Sequence, residues 1–392
     1  MYIPRSIEAS FRKLQQSYTL ITIVGARQAG KTTFLKEQIE QIRVKKSAYV
    51  LFDDPDVRSL FNEDIKKFER QYLEGMDIIV LDEVQYGEDA GIKLKYLFEQ
   101  GRKLWITASS EMLLGKEILS YLVGRVSIMK LYPFSLAEFL LAQQQKEITS
   151  LILARDIEEH VRYGGYPKVV LTQDHELKKI ILHDLYETMI LKDIAKTFSI
   201  QDSRALEEFT RYLALNIGAI LSYDSLSKNL RISFPTIKKY LDAMEKSYLV
   251  LRVKPFFNNK NKEISKQPKV YFVDTGLRNS IVKGYAAEID GKLFENYVLT
   301  ELLKAGFAPK YWRTKSQAEV DFVVEHDSEI IPIEVKLTRA EISRSLRSFI
   351  EIYKPRRAFI VSYKGESSER KVFGCTVSMV NVFDLIKKLK VA

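Results

Sequence analysis

Two rhythms of apolar and polar positions run along this chain of 392 residues. In the first third, short, largely apolar runs recur near residues 21–24, 48–52, 78–81, 103–110 and 126–131. Such runs fit strands buried on both faces. The stretches between them, residues 5–17 and the segment after Lys31, carry helical spacing. Strands alternating with helices predict an α/β domain built on a parallel sheet with helices on both faces.

From about 136 to 200 the pattern turns helical, interrupted at Gly164-Gly165-Tyr166-Pro167. Over 205–255 it predicts a winged helix. Helices are expected at 213–221 and 223–230, followed by a recognition helix from Ser233 with the stripe Ile237, Tyr240, Leu241 and Met244. Strands at 249–253 and 269–273 would form the wing, with Lys260, Lys262, Lys266 and Lys269 as a basic tip suited to phosphate contacts. A further helix at 291–303 precedes strands near 311–324 and 331–337.

The first strand leads into Gly25-Ala26-Arg27-Gln28-Ala29-Gly30-Lys31-Thr32-Thr33 and then a helix, the phosphate-binding loop in its strand–loop–helix setting. All nine are expected to bind nucleotide. Lys31 would meet the outer phosphates of ATP, and the Thr32 hydroxyl would hold Mg²⁺. The 78–81 run ends in Asp82-Glu83, placing Asp82 as a Mg²⁺ ligand and Glu83 as the carboxylate that polarises the attacking water. Ser109 or Ser110 could contact the terminal phosphate, and Arg125 is a candidate arginine finger, acting across a subunit interface.

In the last third, strand alternation puts Glu319 and Asp321 on one face, and Glu334 and Lys336 on one face of the next strand. An acid on one strand with Glu-x-Lys on the next resembles the restriction-endonuclease-like, PD-(D/E)XK core. That resemblance implies a second Mg²⁺ site of Asp321 and Glu334, with Glu295 as an added helix carboxylate and Lys336 orienting water or stabilising charge. Cleavage and binding without cleavage both stay open.

The motifs at 25–33, 81–85, 123–125, 131–139 and 163–167 together resemble a large prokaryotic, archaeal-type family of AAA+-like ATPases fused to a C-terminal domain of unknown function. The resemblance spans nearly the whole chain and implies four parts: an ATPase domain (1–135), a helical lid (136–200), a winged helix (201–275) and a restriction-endonuclease-like domain (276–392).

Composition narrows this reading. A net charge of +10 favours an acidic partner, DNA before membrane. One cysteine leaves no internal disulfide and fits a reducing compartment, and the start carries no apolar signal core, so a cytoplasmic protein is expected. The expectation is a Mg²⁺-dependent ATPase that remodels or processes DNA, with a homo-oligomeric ring as a candidate assembly. The alternative is an ATP-dependent switch whose later domains bind partners and do not cut.

Overall fold

In a computed structural model, residues 2–42, 46–109, 124–145, 147–257, 263, 266–337, 341–363 and 367–390 are described. The chain divides into two compact units, Met1–Pro133 with Lys246–Tyr248, and Phe134–Glu245 with Leu249–Ala392.

The first unit is a five-stranded parallel sheet. Its strands are β1 (Leu20–Val24), β2 (Ser47–Leu51), β3 (Ile78–Asp82), β4 (Leu104–Ala108) and β5 (Val126–Lys130), in the order β2-β3-β4-β1-β5. The three inner strands are buried at every residue, which is why they read as largely apolar runs, while the edge strands β2 and β5 are part exposed. Helices α1 (Glu8–Ser17) and α2 (Lys31–Ile42) contribute Phe11 and Phe34 to one face of the sheet, edge to face with each other, and Phe11 also packs edge-on against Trp105 of β4. Offset and T-shaped aromatic pairs add to the burial of apolar area. β4 intervenes between β1 and β3, so all three carboxyl ends open on the same edge.

The second unit begins with α3 (Leu136–Ala142), whose Ser135 and Glu138 form a reciprocal capping box. Helices α4 (Ser150–Tyr163) and α5 (His175–Thr188) follow, then α6 (Ser203–Leu215), α7 (Tyr223–Leu230) and α8 (Phe234–Lys246). A hairpin of β6 (Val250–Val253) and β7 (Lys269–Phe272) comes next, with Ile220 bridging antiparallel to Lys269. The helix expected over 213–221 is corrected. It ends at Leu215, and Gly218, at φ +69°, turns the chain so that Ile220 can meet the hairpin. The segment then carries α9 (Thr275–Val282) and α10 (Gly291–Lys304).

A six-stranded mixed sheet follows, with a last helix over Val382–Lys390. The sheet comprises β8 (Lys310–Arg313), β9 (Glu319–His326), β10 (Glu329–Lys336), β11 (Arg357–Ser362), β12 (Ser368–Val372) and β13 (Cys375–Val380), in the order β12-β13-β11-β10-β9-β8. β8, β9 and β10 form an antiparallel meander; β11 returns parallel to β10 after α11 (Arg344–Tyr353). Trp312, Val320, Val323, Phe349, Ile350 and Ile360 sit in the core under α11.

The Tyr163-Gly-Gly-Tyr-Pro167 break is a backbone-on-backbone joint. Asp274 accepts from the Gly165 N–H (2.7 Å) and caps α9 through the Leu277 N–H (3.0 Å). A Cβ added at Gly276 would lie 2.0 Å from the Tyr163 carbonyl oxygen, and one at Gly165 would lie 2.2 Å from the Phe134 carbonyl oxygen. Neither contact can be relieved by a side-chain rotation. Gly276→Ala is therefore expected to destabilise the full chain by about 3 kcal/mol or more, since overpacking against backbone is not absorbed locally. A thermal unfolding scan that leaves Tm unchanged in this variant would remove the joint from the account.

Candidate functional site

The loop after β1 is shaped by what lies against it. A Cβ at Gly25 would fall 2.0 Å from the Leu131 carbonyl oxygen, so the loop backbone rests directly on the chain leaving β5. Arg5, buried, donates to the Ala29 carbonyl (2.9 Å) and the Tyr132 carbonyl (2.6 Å), tying the loop from the other side. α2 opens at Lys31, so its unpaired N–H groups and dipole face the loop. The Lys31 ammonium, 4 % exposed, donates to the carbonyls of Gly25 (3.0 Å) and Ala26 (3.1 Å) and lies 3.6 Å from Glu83. Burial pushes it below the usual lysine range, against the pull of Glu83 and Asp82.

Asp82 ends β3 and is 1 % exposed. Its carboxylate accepts from the Thr32 hydroxyl (2.7 Å), the Tyr49 hydroxyl of β2 and the Thr107 hydroxyl of β4. Thr107 also accepts from the Glu83 backbone N–H (2.9 Å), and Glu83 itself sits in the left-handed region at φ +57°. Gln85 donates to the Glu83 carboxylate and to Ser109 Oγ (3.2 Å). A hydroxyl and a carboxylate in contact beside a helix N-terminus and a buried lysine are hard oxygen donors and an anion cradle together. They fit Mg²⁺ and a nucleoside triphosphate. Ser110 and Val123 lie outside the described residues.

Arg125 does not join this site in its own chain. Val126 pairs with Leu20 and Lys130 with Val24, so Arg125 lies at the amino end of the parallel strands, roughly 16 Å along β5 from the phosphate loop. It is exposed, 3.7 Å from Glu99 and over the Phe98 ring.

The C-terminal constellation is assembled differently from the expectation. Glu295, Asp321 and Lys336 line one cavity of about 550 Å³, with Lys292 and Arg278 at its border. Glu334 is buried, salt-linked to Lys336 (2.8 Å) and accepting from Ser343 (2.8 Å). Asp321 accepts from the Val335 N–H (2.8 Å). Between the carboxylates stands Lys269, expected on the wing surface and in fact 1 % exposed, 3.4 Å from Glu295 and 2.5 Å from Glu319. Lys269 and Tyr271 alternate onto the same side of β7, and both reach Glu295. Lys260 and Lys262 lie outside the described residues, and Lys266 is exposed. Among the described residues no three His, Cys, Asp or Glu side chains converge as a metal cage.

Charge follows this arrangement. Burial lowers the Lys269 pKa, but Glu295 and Glu319 outweigh it and hold the ammonium above the usual range. Glu295, despite burial, is kept below the usual carboxylate range by Lys269 and Lys292. Asp321 is pushed up to about 7 by burial and then by the charge of Glu295. Arg5, Tyr49, Gln85, Thr107 and Lys269 were not singled out for these roles from sequence. A polar Thr107 inside an apolar strand was the one local signal among them.

Residues 17–140 match a family model described as an AAA domain. That match covers the phosphate loop and the strand ending in Asp82 and Glu83. Residues 154–288 match a domain of unknown function (DUF8612), and residues 290–380 another (DUF4143). An uncharacterized protein of Haemophilus influenzae is 27% identical over 347 residues, 84% of this chain and 85% of its own length. One from Methanocaldococcus jannaschii is 25% identical over 371 residues, 89% of this chain and 83% of its own length. Among solved structures, a Walker-type ATPase of Pyrococcus abyssi aligns over 71% of this chain and 96% of its own, at 16% identity and a TM-score of 0.46. Among the described residues no helix is long and apolar enough to cross a membrane.

The raised Asp321 pKa has a signed consequence. Between about pH 4 and pH 7 the folded chain holds a proton there that the unfolded chain releases, so this group's contribution to stability is lost as pH rises through that window. Asp321→Asn keeps the Val335 contact and removes the titration. The Tm of the variant minus that of the wild type should grow from pH 5 to pH 8; a difference constant with pH would contradict the assignment.

Proposed function

We propose that this chain is a Mg²⁺-dependent ATP hydrolase that acts on DNA, with an ATPase domain at 1–135, a helical lid at 136–200, a winged helix at 201–275 and a restriction-endonuclease-like domain at 276–392, working in the cytoplasm. The observation that carries the reading is the contact of Thr32 with Asp82 beside the buried Lys31 and Glu83. Lys31 binds the outer phosphates, trading the carbonyls of Gly25 and Ala26 for stronger anionic acceptors. Thr32 and Asp82 would hold Mg²⁺, which supplies charge neutralisation on the phosphates when bound. Glu83, steadied by Gln85 and by the Thr107 bond to its N–H, orients the attacking water and takes its proton.

DNA contact is supported by the run α6, Ile220 bridge, α7, α8 and the β6–β7 hairpin, an order that suits a winged helix. α8 buries Ile237, Tyr240, Leu241 and Met244 and leaves Lys238 and Lys239 exposed near its capped N-terminus. The C-terminal reading is supported by the β8–β9–β10 meander with β11 parallel to β10, carrying Asp321 on the second strand and Glu334 and Lys336 on the third. The neutralised carboxylates favour the alternative for that domain, a partner-binding module in an ATP-driven switch.

ATP turnover with and without single-stranded, duplex and supercoiled DNA tests the proposal. At least one DNA form should stimulate turnover several-fold, and indifference to all of them would leave the switch. Lys31→Ala should abolish turnover with loss of nucleotide binding. Glu83→Gln should retain binding while lowering kcat by about 10²-fold or more, the usual weight of a general base; wild-type turnover in Glu83→Gln would take that role from Glu83.

Because Arg125 lies away from its own phosphate loop, a finger role requires a second copy. Arg125→Ala and Glu83→Gln, each inactive alone, should recover part of the activity when mixed, since one kind of interface then holds both groups. Turnover per chain that is independent of concentration in a strictly monomeric protein would exclude it.

A further inference from the structure

Lys269 is held as a cation is held in a purpose-built site. Its backbone is pinned on both sides, paired with Val253 across the hairpin and bridged to Ile220, so the side chain enters the cluster from a fixed strand. Its ammonium meets Glu319 at 2.5 Å and Glu295 at 3.4 Å and lies over the Tyr311 ring, 5.3 Å from the centroid. The surrounding acids are answered in the same way. The second oxygen of Glu295 meets Lys292 (2.6 Å), the second oxygen of Glu319 meets Arg313 (3.5 Å), and Glu334 meets Lys336 (2.8 Å). Glu295, Glu319 and Glu334 are thus paired with the four cations Lys269, Lys292, Arg313 and Lys336, while Asp321 beside them accepts from the Val335 N–H (2.8 Å). A divalent ion entering this balance would bring two uncompensated charges beside a buried ammonium, and would have to take oxygens that already accept from lysine, tyrosine and serine.

We propose that Lys269 is the resident cation of this cluster, standing in for a divalent metal, so that the C-terminal domain engages its partner without metal and does not cleave phosphodiesters. The inference rests on the restriction-endonuclease-like reading of that domain. It makes the wing strand, and not an ion, the element that holds α10, β9 and β10 together at the acids. It also identifies what keeps the site closed to metal: removal of one ammonium leaves Glu295, Glu319 and Asp321 short of positive charge beside a cavity with room for ion and water.

The test is Mn²⁺ binding to the full chain without nucleotide or DNA, read by electron paramagnetic resonance of the free ion. The phosphate loop contributes equally to every variant, so only Asp321-dependent binding counts. Wild type and Asp321→Asn should titrate identically. Lys269→Met should gain a site about tenfold or more tighter than anything in the wild type, from the lost charge repulsion, and Lys269→Met with Asp321→Asn should lose it again. An Asp321-dependent Mn²⁺ site in the wild type overturns the proposal, as does a folded Lys269→Met chain that gains none. If Lys269→Met does not fold, the wild-type and Asp321→Asn titrations decide, together with plasmid nicking in Mn²⁺, which should be absent from the wild type. Nicking abolished by Asp321→Asn would overturn the proposal while leaving the restriction-endonuclease-like reading standing. Indifference of ATP turnover to DNA would touch only the DNA reading.

Discussion

A buried ammonium must find negative charge or surrender its proton, and two lysines in this chain meet that constraint in opposite ways. Lys31 is enclosed by carbonyl oxygens, with a carboxylate only at 3.6 Å, and burial prevails over its pull. Lys269 is enclosed by carboxylates, and their pull prevails over burial. The first is an ammonium short of counter-charge beside a helix N-terminus, which is what an anionic ligand relieves. The second already has its counter-charge inside the fold. The same side chain is therefore held below its usual range in one unit and above it in the other, and the difference lies wholly in the neighbours.

Those neighbours come from the order of strands, not from the order of residues. In the first unit β4 lies between β1 and β3, so Thr107 faces Asp82 although 25 positions separate them in the chain. Tyr49 reaches the same carboxylate from the other flank, since β2 pairs with β3 and places Leu51 beside Asp82. In the second unit the pairing of β7 with β6 and with Ile220 turns Lys269 away from solvent and toward α10 and β9.

This explains what could be read in advance. The residues 25–33 and Asp82-Glu83 were legible because each motif is contiguous and carries its own strand and helix signals. Asp321, Glu334 and Lys336 were legible as face-sharing residues, because strand alternation is local. Their ion pairing was not, because Lys269 and Lys292 arrive from other elements. Lys269 was misplaced for a physical reason: a lysine following Lys260, Lys262 and Lys266 looks like the end of a solvated basic run, whereas it is the first residue of a fully buried strand. The overlong helix at 213–221 failed because its apolar spacing continues past the turn at Gly218. Arg125 was legible as a candidate, yet only the parallel register shows at which end of the sheet it lies.

Thr107 illustrates how few atoms fix the relation between Asp82 and Glu83. Its single oxygen donates to Asp82 and accepts from the N–H of Glu83, so one hydroxyl spans two consecutive acids. Glu83 adopts a left-handed conformation that non-glycine residues occupy at a cost of order 1 kcal/mol or more. That turn swings its side chain off the line of β3, away from the face that presents Asp82, and toward Gln85 and Lys31. A strand continuing in regular geometry would also send consecutive side chains to opposite faces, but it would carry the second one past the sheet edge. The turn keeps Glu83 at the edge, held by the Thr107 bond to its N–H and by the Tyr86 N–H to its carbonyl (3.1 Å). The backbone at 83, and not only the length of the glutamate, therefore sets where the carboxylate lies.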